Sequence, residues 1–295
     1  MTASSFEVTK QLRVTLTLGA PGATFAQTGD NTLILTGMRI SASVQVAARF
    51  AGQLDLSIYG MRAADMNSLT VLFFGPEPSI QLNNTVLLEA NGGDGWTQVF
   101  FGTIFQGVPE YRDMPDVPFH IQGMFGYFNG NGPVAPLSYP QGVSVAQAVQ
   151  TVANQMNVQF ENNGVTAYLS PGSYFPGSSL DQLRAICHAA DVDYYTLQNI
   201  LVICPKGEPR LTAQSVLLTP ETGLIGYPRI EVGGIGFDCY FNPAVTAGGL
   251  VQVAGSDIPA ANGSWMPYWA VHTLESWARG GQWQSAVKSY WQASA

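Results

Sequence analysis

The sequence predicts a mainly β protein that carries one small α+β module, and three observations predict it. Short runs of alternating apolar and polar residues, broken by Gly, Pro and Asn, fill the chain on both sides of residues 144–206. The two strong helix-period stripes both fall inside that stretch. The composition is 46% hydrophobic but only 11% charged, well under the roughly 25% of ordinary globular chains. A surface so poor in charge suits a subunit whose faces are covered by neighbours, because interface cores are depleted in charge.

Taken in order, Leu12, Val14, Leu16 and Leu18 alternate with Arg13, Thr15 and Thr17, the period of a half-buried strand. Gly19-Ala20-Pro21-Gly22 ends that run. Further strands are expected at Leu33–Thr36, Arg39–Ala47, Gln53–Tyr59, Leu69–Phe74, Thr85–Ala90 and Trp96–Gln106, with a short helix at Arg62–Asn67. Asn91-Gly92-Gly93-Asp94-Gly95 reads as a hairpin loop, since Gly and Asn accept positive φ. No Lys-Ser/Thr and no helix follow it, so it is no phosphate loop. Pro109, Pro115 and Pro118 mark a linker, Val117–Phe128 a strand, and Asn129–Pro133 a loop.

In the module, Val145, Ala148, Val149, Val152 and Met156 form one helical stripe, started by a Ser144/Gln147 capping box. Leu180, Leu183, Ile186, Cys187 and Ala190 form a second, with Ser179/Gln182 as its box. Strands follow each helix: Val158–Phe160 and Val165–Leu169 around Asn162-Asn163-Gly164, then Tyr194–Leu197 and Ile200–Ile203 around Gln198-Asn199. Beyond Pro205–Pro209, strands resume at Ser215–Leu218, Arg229–Val232, Gly236–Phe241, Gly249–Ala254, Pro267–Trp277 and Trp283–Tyr290. The expected division is a β domain at 1–115, a second β domain at 116–137 and 207–295, and an inserted α+β module at 138–206. Many short strands with regular turns argue a barrel or sandwich for each β domain.

The net charge is −8, with no Lys/Arg run, which argues against gripping nucleic acid through its phosphates. Cys187, Cys204 and Cys239 lack metal-site spacing and read as small core residues of a reduced compartment. Met1–Glu7 lacks the basic and apolar regions of a signal peptide, and no apolar run reaches the roughly twenty residues of a membrane span.

Three segments carry a resemblance. They are Phe160–Val165 with Tyr174-Phe175-Pro176-Gly177; Leu201–Gly207; and Leu218–Pro228 followed by Gly234-Ile235, Phe241-Asn242-Pro243 and Gly248-Gly249. They resemble baseplate hub proteins of tailed bacteriophages, the late-control D-like family related to hubs of contractile injection machines. Leu56–Met61 and Met66–Leu69 extend the likeness more loosely. The resemblance implies two tail-tube-like β-barrels per chain and a homotrimeric ring in the virion tail baseplate, assembled in the host cytoplasm. The ring would join a sixfold tail tube, or a distal tail protein, to a threefold spike or tip, among other baseplate proteins. It would pass tape-measure protein and then DNA as cargo, with no membrane anchor, cofactor or catalysis.

Chemistry has few candidates. Cys187-His188 with Asp191 or Asp193 is the one conceivable nucleophilic set, but Cys187 lies on its helix's apolar stripe and His188 points roughly 100° away. His120 and His272 are expected at a surface or interface. Glu161, the acid a hydrolase would need, sits beside a turn and is expected to be exposed. Trp265, Trp269, Trp277, Trp283 and Trp291 crowd the C-terminus. They are assigned to core and subunit packing. A three-residue loop at 279–281 would set Trp277 opposite Trp283 and Trp269 opposite Trp291; a two-residue turn would set Trp277 opposite Gln284. The alternatives are a peripheral, adhesin-like protein that stacks sugars on these rings, and a tail-associated cell-wall hydrolase.

Overall fold

A computed structural model describes residues 10–70 and 83–292. Met1–Glu7 and the part of the Leu69–Phe74 strand beyond Thr70 lie outside the described residues. The chain divides into two compact units. The first comprises Met1–Val44, Gln53–Phe125 and His272–Trp283; the second comprises Gln45–Gly52, Gly126–Val271 and Gln284–Ala295.

The first unit holds β1 (Gln11–Thr17), β2 (Thr32–Thr36), most of β3 (Ile40–Ala47), β4 (Gln53–Tyr59), α1 (Ala63–Leu69), β5 (Thr85–Asn91), β6 (Trp96–Pro109) and β7 (Pro118–Met124). The strand order is β3-β4-β7-β6-β5-β1-β2. Leu12, Val14 and Leu16 stand opposite Ala90, Leu88 and Val86, and all six are buried. Leu54, Leu56 and Ile58 bury the matching face of β4. The β5–β6 hairpin forms as expected: Asn91 Oδ1 accepts the N–H groups of Gly93 and Gly95. The sequence reading places β7 at the start of the second β domain, but β7 pairs with β4 and β6 in the first unit. Its Phe119 and Ile121 complete the apolar face of β4, a long-range match that local pattern does not reveal.

The second unit follows with α2 (Tyr127–Asn131), β8 (Leu137–Tyr139), β9 (Val143–Ser144), α3 (Val145–Met156), β10 (Gln159–Asn162), β11 (Tyr168–Leu169), β12 (Ser173–Phe175), α4 (Ser179–Ala189), β13 (Val192–Leu197) and β14 (Ile200–Pro205). It continues with β15 (Ser215–Leu218), β16 (Leu224–Glu231), β17 (Gly234–Tyr240), β18 (Leu250–Val253), β19 (Gly263–Ser276) and β20 (Trp283–Gln292). Residues 272–276 of β19 and Trp283 belong to the first unit. Strands β16, β17, β20 and β19 lie side by side in that order, and β18 joins β19 and runs parallel to β15. Phe237, Cys239, Val251, Trp265 and Val287 are among the buried residues of their core.

The apolar stripes of α3 and α4 are buried as their period demands. Their sheet runs β10-β14-β13, with β10 parallel and β13 antiparallel to β14. Two local expectations are corrected. The capping box of α4 is Ser178/Asp181 rather than Ser179/Gln182. Ser179 instead reaches Gln155, and Gln182 is buried and donates to the carbonyls of Ala135 and Gly177. The loop expected at Asn129–Pro133 is mostly α2. Gly130 lies where a Cβ would sit 2.7 Å from Leu180, so only glycine lets α2 pack there.

All six residues of β13 are buried. Residues 45–52 fix this strand within the second unit. Arg49 donates its backbone N–H to Tyr194 O at 2.8 Å, and its Nε reaches Asp193 Oδ1 at 2.6 Å. Gly52 N–H donates to Thr196 Oγ1 at 2.7 Å, and Gly207 N–H to Asp193 Oδ2 at 3.0 Å. Hydrogen bonds to a charged partner contribute roughly 1.5–3 kcal/mol each. Asp193→Ala is therefore expected to lower stability by about that much, read as a shift of the urea midpoint. Hydrogen exchange should quicken at the Arg49 and Gly52 amides before it does in β17.

Candidate functional site

Cys187 and His188 line an open depression of about 540 Å³ with Arg49, Arg184 and Tyr194. Its geometry does not favour nucleophilic chemistry. Cys187 is 1% exposed, and burial pushes its thiol up to about 12, so it holds its proton. Asp191 accepts from Lys206 and Arg49, and Asp193 from Arg49 and Gly207, so both carboxylates are committed to cations and backbone. Among the described residues no three His, Cys, Asp or Glu side chains are placed to hold a metal ion. None of the described helices is long and apolar enough to cross a membrane.

Glu161 departs from the exposed position expected of it. It is half-buried, with Arg210 donating from Nη2 at 2.6 Å and Nε at 3.2 Å, and Asn163 donating at 2.8 Å. Burial works to raise its pKa, but the Arg210 and Asn163 hydrogen bonds outweigh it and hold the carboxyl below the usual range. A general acid needs the opposite shift. The sequence offers no sign of this pair, whose members are 49 residues apart.

His120 is exposed, as expected, with Nδ1 2.9 Å from Ser57 Oγ across the β4–β7 ladder. His272 is not at a surface: it is 3% exposed, because inward positions on β19 run Ala270, His272, Leu274, Ser276. Burial pushes its pKa down to about 4.

The five C-terminal tryptophans separate. Trp265 is buried, donates Nε1–H to Ala261 O at 2.8 Å, and meets Trp291 edge-on at 5.0 Å between centroids. Gly263 makes room for the Trp291 ring, since a Cβ there would lie 2.6 Å from it. Trp269 is half-buried with Lys288 Nζ 5.8 Å from its ring, and Trp283 is buried with Lys10 Nζ 6.0 Å away. Trp277 and Trp291 are 60% and 53% exposed. Neither expected tryptophan register forms. Residues 277–282 all belong to the connection, Glu275 N–H donates to Gln282 O, and Trp291 faces Trp265 instead of Trp269.

The outward face of the first unit is poor in charge. Alternation there presents Thr15, Ser41, Ser43, Ser57, Thr85 and Gln122, all partly exposed and none charged. Arg13 is matched by Glu89 through two 2.6 Å hydrogen bonds, and Asp55 accepts from Gln122 at 3.1 Å.

The family model described as Baseplate hub gp41 matches residues 11–280. The chain belongs to this family. It is thus a structural protein of the phage tail baseplate hub. Solved structures share the fold. The Escherichia coli c3393 protein, a type VI secretion component described as structurally similar to T4 bacteriophage tail proteins gp27 and gp5, is 9% identical with a TM-score of 0.62, over 86% of this chain and 74% of that one. The 43 kDa tail protein of prophage MuSo2 from Shewanella oneidensis is 11% identical, TM-score 0.62, over 94% and 97%. A tail protein from Neisseria meningitidis MC58 is 10% identical, TM-score 0.63, over 94% and 96%. No curated protein matches the hub sequence.

Two outcomes are expected. Trp265→Ala should cost about 3–5 kcal/mol by leaving a cavity, whereas Trp277→Ala should stay within about 0.5 kcal/mol; denaturant titration separates them. The acid limb of stability should have two parts. His272 is neutral in the fold to about pH 4, while its unfolded value is 6.5, so stability falls as pH drops from 6.5 to 4. Glu161 has a depressed folded pKa, so its contribution is full above about 4.5 and is lost as pH falls below that. Arg210→Met should remove the lower part only, and His272→Asn the upper.

Proposed function

We propose that three copies of this hub protein close a ring on the tail axis. The ring joins the sixfold tail tube to a threefold central spike and encloses the channel for tape-measure protein and DNA. Membership of the baseplate hub family over residues 11–280 carries this reading. The likeness in fold to c3393, itself described as similar to the tail proteins gp27 and gp5, is consistent with a place among tail proteins. In this reading each chain supplies two tube-like β domains, so three chains give six quasi-equivalent positions, and the α+β module at 138–206 sits outside the tube. Assembly in the host cytoplasm and incorporation into the virion tail follow from the same role.

The outward face of the first unit, mostly hydroxyl and amide side chains with Arg13 neutralised by Glu89, supports a channel-lining or subunit-covered role. Phosphates are held by Lys and Arg, and each such contact would add affinity that slows passage. Thr, Ser and Gln side chains let DNA slide. The role needs no catalysis. A peripheral, sugar-binding role is the second reading, favoured by the exposed rings of Trp277 and Trp291.

Electron cryo-microscopy of the intact tail tip decides between them. Three copies around the axis, with β strands bounding the channel, are expected. Peripheral copies in another number would overturn the ring and return attention to the exposed tryptophans.

A further inference from the structure

An asparagine followed by glycine is chemically labile, because glycine has no Cβ to keep its backbone nitrogen away from the asparagine side-chain carbonyl. The chain has five such pairs: Asn91-Gly92, Asn129-Gly130, Asn131-Gly132, Asn163-Gly164 and Asn262-Gly263. The fold holds four of them still. Asn163 is 3% exposed, donates to Glu161 and accepts the N–H of Leu211. Asn262 donates to Ser256 O and accepts the Ser256 N–H. Asn129 donates to Met156 O and Asn131 to Tyr127 O. The nitrogens that would attack these last two are occupied as well, since Gly130 N–H donates to Gly126 O and Gly132 N–H to Phe128 O.

Asn91 is arranged in the opposite sense. It ends β5 at the hairpin and is half-buried, while Gly92 is exposed. Neither Asn91 Nδ2 nor the Gly92 N–H makes a hydrogen bond among the described residues. Asn91 Oδ1 accepts the N–H groups of Gly93 at 2.8 Å and Gly95 at 3.3 Å. The bond to Gly93 folds the side chain back over the Asn91–Gly92 peptide. Both donors also point at the oxygen on which negative charge develops when the carbonyl is attacked, and so favour the tetrahedral adduct. The same loop spares its own aspartate, because the Gly95 nitrogen that would attack Asp94 is the one held by Asn91.

We infer that Asn91-Gly92 is a self-modifying site, which turns with water into aspartate and isoaspartate. A base in solution takes the Gly92 amide proton as that nitrogen attacks Asn91 Cγ. The N–Cγ bond forms, the Cγ–Nδ2 bond breaks, and Nδ2 takes up a proton and leaves as ammonia. Water then opens the cyclic imide at one carbonyl or the other, and nothing is oxidised or reduced. Asn91 closes two ladders, opposite Gln11 in β1 and Trp96 in β6. Aspartate adds a negative charge there. Isoaspartate also adds a main-chain atom, which breaks the register at that end. The site is independent of the ring reading, since it is tested on the isolated chain.

The test incubates folded protein and protein unfolded in guanidinium chloride side by side in mildly alkaline buffer. Peptide mapping by mass spectrometry times amide loss at all five asparagines. In the folded protein Asn91 should react at least tenfold faster than any of the other four, and no slower than in the unfolded chain. An Asn91 rate slowed by folding as much as the others, earlier loss at another asparagine, or aspartate without isoaspartate each overturns the site. Gly92→Ala tests the attacking nitrogen. Gly92 is outside the left-handed region, and a Cβ there meets only Trp283 Nε1 at 3.8 Å, so the variant should fold. It should slow Asn91 at least tenfold, and an unchanged rate overturns the imide route. The comparison of folded with unfolded natural chain stands even if the variant fails to fold.

Discussion

The period of two along a strand is the constraint on which the rest of the structure depends. In β1 and β5 the pairs Val14↔Leu88 and Leu16↔Val86 place four large side chains on one side. A slip of one residue would turn all of them to solvent and bring Thr15, Thr17, Thr85 and Leu87 inward. At roughly 1.5–3 kcal/mol for each large apolar side chain buried, the wrong register is excluded many times over. The same rule then dictates the other face. What alternates with the core residues must point outward, so the choice of Ser, Thr and Gln there sets the character of a whole surface.

The exception is β13, buried on both faces, and it shows what the rule normally avoids. A strand covered on both sides has no solvent for its polar side chains, so each must find a partner in the protein. Asp193 takes Arg49 and the Gly207 N–H; Thr196 takes the Gly52 N–H. Tyr195 fits by shape instead, its ring against Gly248 and its hydroxyl without a hydrogen-bond partner among the described residues, and burial raises its pKa. The turn at 45–52, with Arg49 in the left-handed region at φ 64°, is thus held by β13 as much as it holds it.

Legibility in the sequence follows the range of the interaction. The helices of the module were readable because a 3.6 period is written within a dozen residues, and the β13–β14 and β5–β6 hairpins because their turn residues are adjacent. The capping box of α4 lies one residue before the one its pattern suggests, because Ser178-Ser179 offers two starts with acceptable partners and only the tertiary contact of Gln182 decides. β7 and the tryptophan register depend on pairings between distant strands, for which a single chain gives no local sign. Arg49 and Arg210 carry no motif at all. Each matters because of a partner that folding supplies: Asp193 at 144 residues' separation and Glu161 at 49.

The scarcity of charge and its placement have one physical reading. At least seven of the twelve Lys and Arg residues are held in ion pairs within their own unit, among them Arg13, Arg49, Arg210, Arg229 and Lys288. Those at the surface, such as Arg229 with Asp238 and Lys288 with Glu231, add little stability, so stability alone does not explain how widely the cations are paired. The pairs do neutralise the cations that an uncovered sheet face would otherwise display. Covering a hydroxyl or amide needs one hydrogen bond from the neighbour, whereas covering a lone charge needs a matched and well-placed countercharge. A chain built to be enclosed by copies of itself, or to border a passage for polyanionic cargo, gains from the first kind of face and loses from the second. In the proposed ring, the composition follows from how much of this surface is shared.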